Sequence, residues 1–356
     1  MLVARKAQEL DVVELTEDLP EYGLKQGDRG AVVAAFDEPA EAYDLEFVEA
    51  SGKSKLAYSV RANQILTVDP DAEEAYKRGL ELIASGRTLE GRRSLRHAVK
   101  LKPDLIGMLL NSVLDNFGRS EDWDQLVPAL RFISELNPDY DIARNNLVIA
   151  YLNHGISQAR KGDVEGALQL FYSAAGIGMS QETLSWVKHN LVAAHTALGI
   201  RAHKQASQEA DPEAALGQYK IALTNMALAC AIDPSDKTRR NLGLANAFLG
   251  NALLKNGDFT AFAFFEVAED MGLAFPKLFN NHAVALAGLG QQEAAIEFLE
   301  KAIDIEADYE TAKKNLNQIK LALAEERTGA GFNLEELDIS FNQVSPMQRY
   351  DYQVAA

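Results

Sequence analysis

Apolar positions alternate with polar ones over the first seventy residues and recur at helical spacing over the rest. Short alternating or β-branched runs at Asp11–Leu15, Arg29–Phe36, Ala42–Glu49, Leu56–Val60 and Gln64–Val68 predict five short strands. Turn signals separate them: Leu19-Pro20, Gly27-Asp28, Asp37-Glu38-Pro39 and Ser51-Gly52-Lys53. Five strands in so short a stretch bury little as an open sheet. Closing them into a small barrel provides a core and removes the edges. Gly27 and Gly30 bracket a tight turn that feeds the strand Ala31–Phe36. After Thr67 the β-branched runs stop, and Asp69-Pro70-Asp71 reads as a helix start. The pattern divides the chain into a β unit over 1–68, helices alone over 70–326, and a tail over 327–356.

The helical part repeats. A small residue, a large apolar residue four later and an alanine three later recur as Gly91/Leu95/Ala98, Ala167/Phe171/Ala174, Ala222/Met226/Ala229 and Ala295/Leu299/Ala302. Small residues let two helices approach, and the large one fills the groove between pairs. Pro103, Pro138 and Pro234 close units, because proline cannot donate to a helical ladder. Six helix pairs are expected near 72–103, 105–138, 140–178, 181–234, 236–273 and 276–307, with a capping helix at 309–326. The second pair is degenerate, with Leu126 and Ile133 at positions that want small residues. The fourth is long, its first helix running from Gln181 to about Glu209.

This pattern resembles the tetratricopeptide repeat (TPR). The best single match is 282–308, where Ala283, Gly290, Ala295 and Ala302 take the family's small positions and Ala307 replaces its usual proline. The first repeat carries Gly79, Gly91, Ala98 and Pro103. The N-terminal segment resembles SH3-like barrels, among them a prokaryotic family of unknown function. It is also similar to the small barrels of nitrile hydratase β-subunits and their accessory proteins. The fold class expected is therefore multidomain α+β, an SH3-like β-barrel followed by an all-α TPR-type solenoid. Such a scaffold carries no activity by itself.

Composition narrows the function. With 35 Lys+Arg against 52 Asp+Glu, the net charge of −17 disfavours nucleic acid and anionic membrane as main partners. Residues 1–68 hold 7 basic and 13 acidic side chains, which argues against nucleic-acid binding through the barrel. A lone cysteine, Cys230, allows no internal disulfide and suits the cytoplasm, and we expect it to be a small buried apolar residue. MLVARKAQEL has no apolar signal region, and no stretch of 18 apolar residues predicts a membrane span.

Searches for chemistry are negative. Gly52-Lys53-Ser54 resembles the end of a phosphate loop, but Phe47 stands where that loop needs glycine. The six histidines form no HExxH, and His189 and His195 lie on different sides of a helix. We expect no cofactor, no metal and no catalytic set. Phe259, Phe262, Phe264 and Phe265 are expected to pack between repeats.

One constellation points to binding. The first helices share an asparagine, at Asn146, Asn190, Asn241, Asn281 and Asn315, with Arg144, Lys188, Arg239, Arg240, Lys313 and Lys314 just before. The TPR resemblance implies that this position faces the concave groove, where several members grip peptides with an asparagine ladder. An Asn amide offers both a donor and an acceptor to an extended backbone. The basic neighbours favour an acidic segment or a C-terminal carboxylate. The plain alternative is that these asparagines are solvated or bonded to the neighbouring repeat, and that the basic residues pair with nearby acids. The family's two-carboxylate clamp is not expected, because its second asparagine is missing after each of the five.

These features predict a non-enzymatic interaction scaffold that binds an extended, acidic protein segment in the concave groove and serves assembly or maturation of a complex. The competing readings are an enzyme or accessory protein with a site between barrel and solenoid, and nucleic-acid binding through the barrel. In the tail, Glu335, Glu336 and Asp338 lie among Leu334, Leu337, Ile339 and Phe341, a segment suited either to capping the last helix or to entering the groove.

Overall fold

A computed structural model describes residues 6–9, 11–38, 40–48, 53–68, 72–118, 122–177, 180–324 and 347–353. The strands are β1 (Val12–Leu15), β2 (Arg29–Phe36), β3 (Ala42–Val48), β4 (Ser54–Arg61) and β5 (Ile65–Val68). They form one antiparallel sheet in the order β4-β3-β2-β1-β5. That order, with a 3-10 turn at Ala62–Gln64 leading into β5, is SH3-like. Irregular register between Val32 and Ala34, and between Tyr43 and Leu45, bends β2 and β3. The bent sheet gathers Val13, Leu15, Val32, Tyr43, Leu45, Phe47, Ala57 and Val60 into one core with Leu19 and Leu24. Gly27 takes φ +88°, which a side chain would oppose. A Cβ on Gly30 would lie 2.9 Å from the Glu46 carbonyl and the Phe47 ring, so the strand crossing needs glycine.

Among the described residues after β5 only helices occur. They are α1 (Ala72–Ala84), α2 (Thr88–Leu101), α3 (Leu105–Phe117), α4 (Trp123–Leu136), α5 (Asp141–Arg160), α6 (Val164–Ala175), α7 (Gln181–Gln208), α8 (Pro212–Ile232), α9 (Asp236–Lys255), α10 (Ala261–Asp270), α11 (Pro276–Gly288), α12 (Gln292–Ile305) and α13 (Glu310–Ala324). The expected helix start at Asp69-Pro70-Asp71 lies outside the described residues.

The chain divides into two compact units, Met1–Asn116 with Glu135–Pro138, and Phe117–Ser134 with Asp139–Ala356. The boundary falls inside the degenerate second pair. In the first unit α1 packs on α2; in the second α5 packs on α6, α7 on α8, α9 on α10 and α11 on α12. Successive pairs of the second unit then stack through α6–α7, α8–α9 and α10–α11.

The small-large pattern explains this packing. Leu95, Phe171, Met226, Phe265 and Leu299 are all fully buried. Four of them press against a glycine of the preceding helix, where a Cβ would lie 2.7 Å from Leu95 at Gly79, 2.5 Å from Phe171 at Gly155, 2.7 Å from Met226 at Gly199 and 2.9 Å from Phe265 at Gly250. Ala261/Phe265/Ala268 is a fifth copy of the motif, all three buried. Phe259, Phe262 and Phe264 are partly buried against the same core. Cys230 is only half-buried, because it follows the buried Ala229 and so turns off the packed face of α8.

The long fourth pair buries His203, only 2% exposed, with its ring 4.3 Å from Phe248 and 5.6 Å from Tyr219. Burial pulls its pKa down from 6.5 to about 4. The folded protein therefore keeps this ring neutral where the unfolded chain takes up a proton. Its contribution to stability is complete above pH 6.5 and is lost as the pH falls towards 4. We expect His203→Phe to remove this slope, gaining on the order of 2 kcal/mol relative to wild type between pH 7 and pH 5. Urea denaturation at the two pH values reads the difference. Equal pH slopes in both proteins would contradict it.

Candidate functional site

Two first helices, α7 and α9, begin alike. Ser180 and Ser235 cap them, each hydroxyl accepting from the backbone N–H of Thr183 or Thr238. Each helix then presents one of the expected asparagines, and the C-terminal segment 347–353 lies across both.

Asn241 Nδ2 donates to the Gln348 carbonyl at 2.8 Å, and its Oδ1 accepts from the Gln348 N–H at 2.8 Å. Asn190 treats Gln353 in the same way, with both bonds at 2.9 Å. In an extended chain the N–H and C=O of one residue point to the same side, matching the amide's donor and acceptor. The grip uses backbone alone, and the Gln348 and Gln353 residues stay exposed. The segment runs from α9 to α7, against the order of the repeats.

Side chains complete the seat. Lys237 Nζ donates to the Arg349 carbonyl and stands 3.8 Å from the centroid of the Tyr350 ring. The Tyr350 hydroxyl is 3.2 Å from Ser235 Oγ, and its ring meets His189 edge-on at 6.0 Å. His189 Nε2 is 2.7 Å from the Asp351 carbonyl. Tyr352 packs 6.0 Å from Phe171, and Met347 joins the core around Leu244 and Leu273. Burial raises the pKa of both tyrosines. Between residues 349–352 and the α7 face of Ala193, Ala197, Ile200 and Lys204, a cavity of about 490 Å³ stays open.

The family model for the tetratricopeptide repeat matches residues 276–309, which hold α11 and α12. The chain carries a tetratricopeptide repeat. A second family model, Domain of unknown function (DUF4926), matches residues 9–67, taking in the sheet from β1 into β5. A search of curated proteins finds no match. Among solved structures the chain is similar to the TPR domain of P58(IPK), at 18% identity over 72% of this chain and 68% of that one, TM-score 0.30. It is similar to the TPR2AB domain of yeast Sti1 in complex with pHSP90, at 16% over 71% and 98%, TM-score 0.30. It is also similar to YrrB, a TPR protein with an unusual peptide-binding site, at 18% over 61% and 94%, TM-score 0.22. At such TM-scores these likenesses add nothing to the helix geometry above.

Within the matched TPR, Asn281 is fully buried and donates to Asn251 Oδ1 at 2.9 Å. Asn280 Nδ2 donates to Asn281 Oδ1 at 3.1 Å, and Asn315 Nδ2 to Asn280 Oδ1 at 2.9 Å. A chain of buried amides thus links α9, α11 and α13. Asn146 is half-buried and turns back to the Ile142 carbonyl of its own helix at 2.8 Å. Two of the five asparagines thus meet an extended backbone, two bond to a neighbouring repeat and one bonds to its own helix. Asn190 and Asn241 are fully buried because the tail covers them, and Asn281 and Asn315 because repeats close over them.

Of the basic residues, Arg144 pairs with Asp141, Lys188 and Arg239 are exposed and Arg240 is half-buried. Sequence reasoning missed Lys237 and Ser235, four and six residues before Asn241, and His189, the residue before Asn190, all of which contact the tail. It also placed the tail's contacts at Leu334–Phe341, which lie outside the described residues. Among the described residues no group of three or more His, Cys, Asp or Glu could hold a metal ion, and no helix is long and apolar enough to cross a membrane.

Proposed function

We propose that α7 and α9 form a groove for an extended peptide, and that the protein is a non-enzymatic interaction scaffold. The observation that carries this reading is the paired donor and acceptor of Asn190 and Asn241 on the backbone of the seated segment. Two amides that hold backbone alone accept many sequences, and the flanking side chains supply preference. Lys237, which touches the seated segment, and Arg201 and Lys204 on the cavity beside it add a bias towards acidic segments. Assembly or maturation of a complex in the cytoplasm is the role proposed for such a scaffold, with the DUF4926 domain as a second contact module.

A photoreactive residue in place of Lys204, exposed on α7 and lining the cavity beside the seated segment, should crosslink the full chain to its partner. The same residue in place of Lys220, exposed on α8, should not. Capture from Lys220 alone would place the partner elsewhere and contradict the reading.

A further inference from the structure

The seated segment also describes the ligand that the groove prefers, an inference that rests on the groove reading above. Its buried contacts come at fixed steps. Met347 is 5% exposed and enters the core cluster. Three residues later Tyr350 stacks on Lys237 and reaches Ser235. Two further on, Tyr352 packs on Phe171. The residues between, Gln348, Arg349 and Asp351, are exposed and meet the helices through their backbone.

We infer that the groove recognises an extended segment bearing an apolar residue with aromatic residues three and five positions after it, and that residues 347–353 hold this seat in competition with a partner of the same spacing. The tail does not fill the seat well. The Tyr352 hydroxyl is buried without a hydrogen-bond partner among the described residues. The cavity of about 490 Å³ beside residues 349–352 is also left open. A partner with phenylalanine at the third anchor avoids burying that hydroxyl, and bulk beside it would fill the cavity. Tethering lets a poor occupant hold the groove, since a segment joined to its own groove acts at roughly millimolar effective concentration.

The test uses the full chain and a fluorescent peptide with the sequence of residues 345–354. Wild type is compared with the Tyr350→Ala/Tyr352→Ala chain, which keeps Met347 in the core. We expect the peptide to bind the double variant at least about tenfold more tightly than wild type, since the competing tail is weakened. The peptide carrying Tyr352→Phe should bind more tightly still. A peptide of the same composition with its tyrosines moved should bind at least about tenfold more weakly. Equal affinity for wild type and double variant overturns the competition. Equal binding of the rearranged peptide overturns the anchor spacing. In either case, binding that disappears on Asn190→Ala/Asn241→Ala leaves the groove itself standing. No binding of any peptide to the folded double variant overturns the groove reading as well.

Discussion

Replacing Asn190 and Asn241 together by alanine should free the C-terminal segment and leave the helices standing. The two amides make four hydrogen bonds to the backbone of Gln348 and Gln353. At roughly 0.5–1.5 kcal/mol net for each bond, their loss weakens the seat by about 2–6 kcal/mol, or at least about 30-fold. The helices lose little. Asn190 also donates to the Trp186 carbonyl of its own helix, a bond that its α-helical ladder does not need. Stability should therefore fall only by what the docked tail contributes, about 2–6 kcal/mol, with the helices still folding cooperatively. Trypsin reads the release directly, because Arg349 lies within the seated segment and the tail must leave the groove to enter a protease. When opening is fast compared with cleavage, the rate of cutting follows the open population. We expect cleavage after Arg349 to rise at least about 30-fold in the double variant. An unchanged rate with a sharp drop in melting would make both asparagines structural.

Phe171→Ala should cost the most stability of any single change near the site. The ring is fully buried, pressed so closely to α5 that a Cβ on Gly155 would lie 2.5 Å from it. Truncating a packed phenylalanine typically costs about 3–5 kcal/mol, because α5 and α6 cannot close over the void. Phe171→Leu should lose much less, keeping most of the volume. The same ring supports Tyr352, at 6.0 Å, so the alanine variant should also loosen the tail. Urea denaturation followed by circular dichroism measures the first effect, and cleavage after Arg349 the second. A loss below about 1 kcal/mol would contradict the packing described here.

Much of the architecture is legible in the sequence because each element carries its own period. Val13, Leu15, Val32 and Leu45 alternate with exposed or half-buried neighbours, and the strands follow. Leu95, Phe171, Met226 and Leu299 sit between small residues at helical spacing, and the pairs follow. The fifth unit was harder to see because Phe265 stands among three other phenylalanines, and only packing separates the one fully buried ring from its partly buried neighbours. The site was legible as a set of asparagines but not in its environment. Asn190 and Asn281 look alike along the chain, yet one holds the tail and the other joins a buried amide chain. What distinguishes them is which surface lies opposite, and that is set by residues more than a hundred positions away or in another repeat. Tyr350 and Tyr352 follow no helical or strand period, so nothing local marked them as anchors.

Amide hydrogen exchange at Gln348 and Gln353, followed by NMR on the full chain, tests the central claim most directly. Both N–H groups donate to asparagine side chains and belong to no helix or sheet. The grip predicts that both exchange at least about 30-fold more slowly than an unstructured chain, and that the protection disappears together when Asn190 and Asn241 become alanine. Exchange of both amides at the unstructured rate in the wild-type protein would contradict it.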